Sequence, residues 1–287
     1  MATVATLIDE ARRRLAAVGV ESPRLDAELL LAHVLGKARR WLWTYPDTPL
    51  SPKDAAAFFS LLERRLHREP LPYLLGEWEF YGRPFTVSPA VLVPRPETEL
   101  LVEVVLAWAT QHAAARIVDV GTGSGVIAIT CALELTAARC YAVDLSVDAL
   151  AMAQGNAERH GVAERITWLQ GDLLQPVRAM GAPPVDAIVA NLPYIAEEEM
   201  PSLMPEVRDY EPRIALAAGA GGLQLIRRLI EESPAVLRPG GLLAMELGCG
   251  QAEQVRAILQ EGGWQEIRII ADYAGIPRHI LASCPVK

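Results

Sequence analysis

The stretch RIVDVGTGSGVIAIT, residues 116–130, decides the fold, because an apolar run leads into a glycine-rich loop and then into a second apolar run. The first run has the composition of a buried β-strand, and the second predicts a helix. Gly121, Gly123 and Gly125 would let the backbone turn tightly and approach a ligand without an intervening side chain. Ligands of open α/β sheets bind at the carboxyl ends of the strands, which is where this loop lies.

The spacing of the loop glycines narrows the class of ligand. The loop reads G-x-G-x-G, whereas a dinucleotide-binding loop reads G-x-G-x-x-G, and Val126 occupies the position of its third glycine. This mismatch disfavours a ligand with a pyrophosphate.

Strand and helix patterns alternate from residue 97 onward. The predicted strands are 116–120, 139–144, 166–170, 185–190, 241–247, 264–271 and 278–284. The predicted helices are 97–112, 125–135, 146–160, 222–237 and 250–262. Such alternation predicts an α/β fold with a mainly parallel, Rossmann-like sheet of seven strands covered by helices on both faces. Only residues 273–277 separate the last two strands, too few for a crossover helix, so the last strand is predicted to be antiparallel.

The first part of the chain has a different sequence pattern. Residues 1–70 carry helix signals, such as Ser22 and Ser51 each followed by proline at a predicted helix start, and predict a small helical bundle for substrate docking. Within 71–96, two alternating runs flank Gly82-Arg83-Pro84 and predict a hairpin linker. The remaining residues, 97–287, form the predicted catalytic domain.

Composition excludes several function classes. The 287 residues carry a formal net charge of −8, which disfavours broad binding to nucleic acids. The four cysteines are scattered without a C-x-x-C pair, and the five histidines show no ligand spacing, so neither a metal site nor a disulfide framework is predicted. No signal segment and no membrane-length apolar run occurs, so we expect a cytoplasmic protein, and we expect it to be a monomer.

Acidic residues end the next two predicted strands. Asp144 could accept hydrogen bonds from both hydroxyls of a ribose. Asp172 could accept one from an adenine amino group, with Leu173 packed on the ring. Helix capping would explain either aspartate alone, but together with the glycine loop they favour a nucleoside site at three successive strand ends.

Asn191-Leu192-Pro193-Tyr194 follows the strand at 185–190. An amide, a rigid ring and an aromatic ring suit the binding of a flat polar group. A capped turn with a packed tyrosine explains the same four residues.

Taken together, these motifs resemble a class I S-adenosylmethionine-dependent methyltransferase, and more narrowly the bacterial release factor glutamine methyltransferase family (HemK-like). The resemblance also includes SPRLDAELLL at 22–31, YLLGEWEFYGRPFTVSPAVLVPRPETE at 73–99, YEPRIALAAGAGGL at 210–223 and DYAGIPRHI at 272–280. The family motif is Asn-Pro-Pro-Tyr, and this chain carries Leu192 at the first proline.

The resemblance implies S-adenosyl-L-methionine as cofactor, S-adenosyl-L-homocysteine as product, and peptide chain release factors as protein substrates, methylated at N5 of the glutamine in Gly-Gly-Gln. It implies cofactor contacts at Gly121, Thr122, Gly123, Ser124, Gly125, Asp144, Asp172, Leu173 and Asn191. It further implies that the Asn191 side chain and the carbonyl of Leu192 hydrogen-bond the substrate amide, that Tyr194 packs against it, and that Pro193 belongs to the same binding segment. Asn191 and Tyr194 are the implied catalytic residues.

Other functions remain open at this point. They are methylation of a ribosomal protein glutamine, methylation of adenine N6 in DNA, a nicotinamide-dependent oxidoreductase and a non-catalytic binding protein. An enzyme acting on DNA needs basic surface to hold the backbone, and the net charge of −8 disfavours this function. Arg95, Glu211 and Glu246 lie in family-like motifs, and the sequence assigns none of them a role.

Overall fold

The structure is a computed structural model that describes residues 3–113 and 116–286. Twelve α-helices lie within these residues: α1 Val4–Ala17, α2 Pro23–Leu35, α3 Arg39–Thr44, α4 Pro52–Leu66, α5 Leu71–Leu75, α6 Pro96–Gln111, α7 Val126–Glu134, α8 Val147–Arg159, α9 Gln175–Ala179, α10 Pro205–Tyr210, α11 Gln224–Glu232 and α12 Ala252–Glu261. The strands of the same residues are β1 Glu77–Phe80, β2 Arg83–Thr86, β3 Arg116–Val120, β4 Arg139–Asp144, β5 Ile166–Gln170, β6 Val185–Ala190, β7 Leu237–Glu246, β8 Gln265–Ala271 and β9 Pro277–Ser283.

The chain divides into two compact units. The first is Met1–Glu77 with Met204–Tyr210, and the second is Trp78–Leu203 with Glu211–Lys287. The first unit therefore combines α1–α5 with α10, a short helix from much later in the chain. The domain limits at residues 70 and 96 stay a prediction, and the sequence pattern contained no signal for α10.

Apolar residues at helical spacing build the core of the first unit. Leu7, Ile8, Ala11 and Leu15 of α1 are buried, as their spacing predicts. In the sequence, Val18 continues the spacing of this apolar stripe, which predicts its burial, but Val18 is 40% exposed because α1 ends at Ala17. The stripe therefore stops one turn earlier than its sequence pattern indicates.

Buried ion pairs hold α10 within the first unit. Arg65 Nε lies 2.7 Å from Asp26 Oδ2, and Arg65 Nη2 lies 3.0 Å from Glu206 Oε1. Arg68 donates to both carboxylate oxygens of Glu206, each at 2.6 Å. Burial acts to raise the pKa of Glu206, but hydrogen bonds from Arg68 and Arg65 outweigh it, and the pKa is lowered. Glu206 is therefore a charged anchor that depends on both arginines.

The second unit contains the predicted seven-stranded sheet, in the order β5-β4-β3-β6-β7-β9-β8. The pairs β3–β4, β4–β5, β3–β6 and β6–β7 are parallel, and β9 is antiparallel to both β7 and β8. This confirms the predicted antiparallel last strand. One face packs against α6, α7 and α8, and the other packs against α9, α11 and α12.

The predicted hairpin is confirmed as the two-stranded sheet of β1 and β2. Tyr81 and Gly82 connect the strands with φ of 52° and 70°, the left-handed backbone of a type I′ turn. Phe80 and Phe85 are buried edge to face, with ring centroids 6.1 Å apart. The hairpin is thus packed into the core of the second unit.

The predicted helix over 222–237 is wrong at its carboxyl end. Helix α11 ends at Glu232, a 3₁₀ turn covers Ser233–Ala235, and β7 begins at Leu237. Pro234 has no N–H to continue the helical hydrogen bonds, so the helix stops there. No helix in the described ranges is both long enough and apolar enough to cross a membrane.

Candidate active site

The loops that follow β3, β4, β5 and β6 surround one cavity at the carboxyl edge of the sheet. It encloses about 1060 Å³ of empty space, its open mouth included. Ten of the twelve predicted site residues line it: Gly121, Thr122, Gly123, Ser124, Asp144, Asp172, Leu173, Asn191, Leu192 and Pro193. The cavity lies where the strand order reverses on either side of β3, the usual ligand position in such sheets.

The three loop glycines have different surroundings. All have positive φ, of 75° at Gly121, 55° at Gly123 and 84° at Gly125. A Cβ at Gly123 would meet no atom within 4 Å, so this backbone is open to a ligand. A Cβ at Gly125 would lie 2.8 Å from Ile129 Cδ1 and 3.0 Å from Ala153 Cβ. Gly125 does not line the cavity; it begins α7 and lets this helix approach α8.

Asp119, which the sequence analysis missed, stabilises the glycine loop through hydrogen bonds. Its Oδ2 accepts the hydroxyl of Thr122 at 2.6 Å and the N–H of Ala128 at 3.0 Å, so it ties the loop to the first turn of α7. Complete burial raises its pKa to about 7. The available signal was a single carboxylate inside an apolar strand directly before the glycines.

Asn156 on α8 is a second missed residue. Its Oδ1 accepts the N–H of Thr86 at 2.8 Å, and its Nδ2 donates to the carbonyls of Thr86 at 3.0 Å and Ser124 at 2.9 Å. This fully buried amide therefore joins the hairpin to the glycine loop. No local sequence pattern distinguishes it from an ordinary polar helix residue.

Asp144 faces the cavity with a carboxylate that the backbone holds in place. Its Oδ2 accepts the N–H of Gly123 and its Oδ1 accepts the N–H of Ser146, both at 2.9 Å. Each carboxylate oxygen has a further lone pair for a ligand hydroxyl. The fixed carboxylate beside the open Gly123 backbone fits a ribose.

Asp172 and Leu173 form the next part of the wall. Asp172 Oδ2 pairs with Arg228 at 2.8 Å, and its side chain is 39% exposed. Leu173 is buried and has φ of 47°, unusual for a leucine. A strained backbone at a cavity wall, beside a half-exposed carboxylate, is consistent with an adenine subsite.

Asn191 belongs to a chain of three hydrogen-bonded side chains. Its Nδ2 donates to Thr98 Oγ1 at 3.0 Å, and the Thr98 hydroxyl donates to Glu246 Oε2 at 2.7 Å. Burial raises the pKa of Glu246 to about 7, although the Thr98 hydrogen bond opposes this. Because one N–H of Nδ2 is donated to Thr98, the amide is held with Oδ1, its only acceptor atom, on the opposite side of the group, where it can accept a ligand hydrogen bond.

Leu192 connects the Asn-Leu-Pro-Tyr segment to the glycine loop. It is 5% exposed, and its Cδ2 lies 3.2 Å from the position of a Cβ at Gly121. The missing side chain at Gly121 therefore makes room for Leu192. The two motifs are in direct packing contact.

Tyr194 is the second predicted site residue that does not line the cavity. Its ring packs against the sheet core, and burial raises its pKa to about 12. Its carbonyl accepts the Nε2–H of Gln251 at 2.9 Å, and Gln251 Oε1 in turn accepts the N–H of Gly248. In this structure Tyr194 anchors the segment.

Arg95 and Glu211 form an ion pair at the cavity. Arg95 lines the cavity and its Nη2 lies 2.6 Å from Glu211 Oε1, whose side chain is 1% exposed. Burial raises the pKa of Glu211, and Arg95 opposes the shift. The pair joins the segment before α6 to the segment after α10.

Family models match two regions of the chain. The PrmC N-terminal domain matches residues 6–76, and the ribosomal protein L11 methyltransferases (PrmA) match residues 96–210. Among curated proteins, a release factor glutamine methyltransferase of Nitratidesulfovibrio vulgaris is 42% identical over 283 residues, covering 98% of this chain and 95% of the relative. One from Moorella thermoacetica is 44% identical over 281 residues, covering 98% of both chains.

Solved structures show the same methyltransferase fold at low identity. The catalytic domain of hMettl16 in complex with the MAT2A 3'UTR hairpin 1 has a TM-score of 0.58 at 16% identity, covering 81% of each chain. A methyltransferase from Pyrococcus furiosus has a TM-score of 0.52 at 15% identity, covering 72% of this chain and 91% of its own.

Proposed function

The chain belongs to the release factor glutamine methyltransferase family, and we propose that the cavity described above is where it methylates its substrate. The reaction is the S-adenosylmethionine-dependent methylation of a glutamine in a peptide chain release factor. The observation that carries the proposal is the orientation of Asn191, whose NH₂ group is bound to Thr98 while its oxygen remains available beside the glycine loop.

The cavity residues fit the cofactor. The backbone at Gly123 leaves room for a ligand, and the Asp144 carboxylate is oriented by two backbone N–H groups to accept ribose hydroxyls. Asp172 and Leu173 would hold the adenine, and Asn191 would contact both cofactor and substrate. When bound, S-adenosylmethionine supplies a methyl group made electrophilic by the sulfonium.

The chain's own task is to orient a weak nucleophile. The nitrogen lone pair of a glutamine amide is delocalised into the carbonyl, so alignment with the methyl group dominates the rate. We assign Asn191 Oδ1 and the carbonyl of Leu192 as acceptors of the two N–H groups at N5 of the glutamine in Gly-Gly-Gln. Accepting both protons directs the lone pair out of the amide plane and stabilises the charge that develops on nitrogen.

Three further residues support this arrangement. Leu192 needs only its carbonyl, and its side chain packs against Gly121. Pro193 restricts the backbone, and Tyr194 anchors the segment, because its ring packs in the sheet core and Gln251 holds its carbonyl. No base within the cavity is required if the proton leaves after methyl transfer.

The substrate implies the setting of the reaction. Release factors act during translation, so we place the enzyme in the cytosol. We assign the docking of the release factor body to the N-terminal helical bundle, and we retain the prediction of a monomer that does not bind nucleic acid.

Methyl transfer from labelled S-adenosylmethionine to a purified release factor tests the proposal. The matched control is the same factor with the Gly-Gly-Gln glutamine replaced by alanine. We expect label on the first and none on the second. Label on both would place the target elsewhere in the factor.

A ribosomal protein is the second substrate to test, because a ribosomal protein L11 methyltransferase model matches residues 96–210. Label on that protein, with none on the release factor, would overturn the substrate assignment and keep the methyltransferase activity. Asn191→Ala should abolish turnover on whichever substrate is used, while binding of S-adenosylhomocysteine persists.

A further inference from the structure

We propose that Thr98 and Glu246 are positioning residues that fix which end of the Asn191 amide faces the substrate. The proposal rests on the role assigned to Asn191 above. Thr98 lines the cavity and Glu246 does not, and we assign both an action on the substrate through Asn191.

The number of hydrogens available between the three side chains permits only one orientation of the Asn191 amide. A threonine hydroxyl has a single hydrogen, and Thr98 donates it to Glu246 Oε2 at 2.7 Å. The Asn191 atom at 3.0 Å from Thr98 Oγ1 must therefore be a donor, which is Nδ2. If the amide rotated by half a turn, two oxygens would face each other without a hydrogen between them.

Burial makes this constraint effective. Thr98 is 3% exposed and Glu246 is 2% exposed, so water is not at hand to replace a lost partner. The three side chains also come from separate rigid positions: the first turn of α6, the last residue of β7 and the residue after β6. Together they hold Asn191 Oδ1 as the acceptor for one of the two substrate N–H groups, the other being assigned to the carbonyl of Leu192.

The charge of Glu246 decides how strongly the orientation is fixed. An ionised carboxylate only accepts hydrogen bonds, so it forces Thr98 to be the donor. A protonated carboxyl can donate to Thr98, which frees the Thr98 hydrogen for Asn191 Oδ1 and allows the reversed amide. The reversed amide presents NH₂ to the substrate and cannot accept from it.

Among the residues that the structure describes, the charged or titratable side chains that face Glu246 are Arg95, Glu97, Tyr194, Arg278 and His279. Burial raises the pKa of Glu246 to about 7, with Glu97 adding to the shift and the two arginines opposing it. Burial lowers the pKa of His279, whose ring lies 2.9 Å from the carbonyl of Glu97. Glu246 is therefore the member of this group expected to change charge near pH 7, and turnover should fall as the pH drops through that value.

Substitutions at Thr98 test the orientation. With release factor as substrate and S-adenosylmethionine at saturation, Thr98→Val should lower kcat by about tenfold or more, the effect of roughly one hydrogen bond on the barrier. Binding of S-adenosylhomocysteine should stay near the wild-type value. Thr98→Ser restores the hydroxyl and should recover most of kcat. Thr110→Val is the matched control, because that threonine lies on the same helix and bonds only to the carbonyl of Leu106 in the described structure.

The pH profile of Glu246→Gln gives a readout that a merely structural role would not change. Wild-type kcat should decline from pH 8 to pH 6, and the profile of Glu246→Gln should be flatter because glutamine does not titrate there. Asp119 also has a pKa raised to about 7, so the binding of S-adenosylhomocysteine is measured at each pH to separate its effect.

The outcomes separate this inference from the proposed function. If Asn191→Ala is inactive but Thr98→Val keeps its kcat and Glu246→Gln keeps the wild-type profile, the positioning role is wrong and the function stands. If Asn191→Ala retains activity, the role of Asn191 is wrong. Should Thr98→Val fail to fold, the Thr98→Ser rescue is lost and the Glu246→Gln profile alone decides: a wild-type decline overturns the inference.

Discussion

Alanine substitutions at Gly125 and Gly123 would separate the packing role of the glycine loop from its role in ligand binding. Both positions have left-handed backbone, which costs a residue with a Cβ about 1–2 kcal/mol. At Gly125 the methyl group would also lie 2.8 Å from Ile129 Cδ1 and 3.3 Å from Ala153 Cα, and overpacking of this kind costs roughly 1–3 kcal/mol. Gly125→Ala should therefore lose about 2–5 kcal/mol of unfolding free energy, and Gly123→Ala about 1–2 kcal/mol.

Calorimetric unfolding without ligand measures this difference in the second unit. At about 2–4 °C per kcal/mol for 150–250 residues, Gly125→Ala should lower Tm by about 4–20 °C and Gly123→Ala by about 2–8 °C. Titration with S-adenosylhomocysteine, at a temperature below the unfolding transitions of both variants, should rank their losses of affinity in the opposite order. Gly123→Ala places a methyl group in the open space beside the glycine loop and should weaken the binding of S-adenosylhomocysteine by about tenfold or more. Folded Gly125→Ala should bind within a few-fold of wild type.

Two results would refute this reasoning. Equal loss of stability in the two variants would mean that the contact with α8 does not distinguish Gly125. Wild-type affinity in Gly123→Ala would mean that the open backbone at Gly123 is not where the ligand lies.

Three more perturbations test other parts of the molecule. Leu192→Pro restores the family motif and should raise turnover, because a stiffer segment saves up to about 1 kcal/mol of ordering; steady-state rates that are unchanged or lower would contradict this. Asp144→Asn should weaken S-adenosylhomocysteine binding by about tenfold or more in a titration, because hydrogen bonds to a charged acceptor are the stronger ones, and wild-type affinity would remove Asp144 from the site. Glu206→Gln should lower the stability of the first unit by about 3 kcal/mol in calorimetry, because it removes the carboxylate that Arg68 and Arg65 share and leaves Arg65 with Asp26 alone. Asp209→Asn is its control, since it lies on the same helix with an exposed ion pair and should leave Tm unchanged.

Local patterns predicted much of the second unit. The alternating apolar runs indicated all seven strands of the sheet, and the short link after Ala271 required the antiparallel pair. The carboxyl end of α11 is also set locally, because Pro234 follows the helix in the sequence and cannot continue its hydrogen bonds. The glycine loop, Asp144 and Asp172 could be placed together because the carboxyl ends of parallel strands share one edge.

The buried side chains that hold the site in place by hydrogen bonds could not be predicted in this way. Asp119 looked like part of an apolar strand, and Asn156 like a surface residue of a helix, until folding brought their partners within hydrogen-bond distance. Helix α10 shows the same limit on a larger scale, since Glu206 meets Arg65 across 141 positions of the chain.

The sequence by itself determined the strands of the sheet and the glycine loop at its edge, because strand periodicity and backbone preference are local properties. Of the twelve predicted site residues, ten line the cavity. Only the tertiary structure decided that Gly125 serves packing, that Leu192 fills the space beside Gly121, and that Thr98 lies between Asn191 and Glu246. Thr98 is 93 positions from Asn191 and 148 positions from Glu246. Contacts at such separations depend on how helices and strands pack against one another, and the sequence pattern within a single element does not predict them.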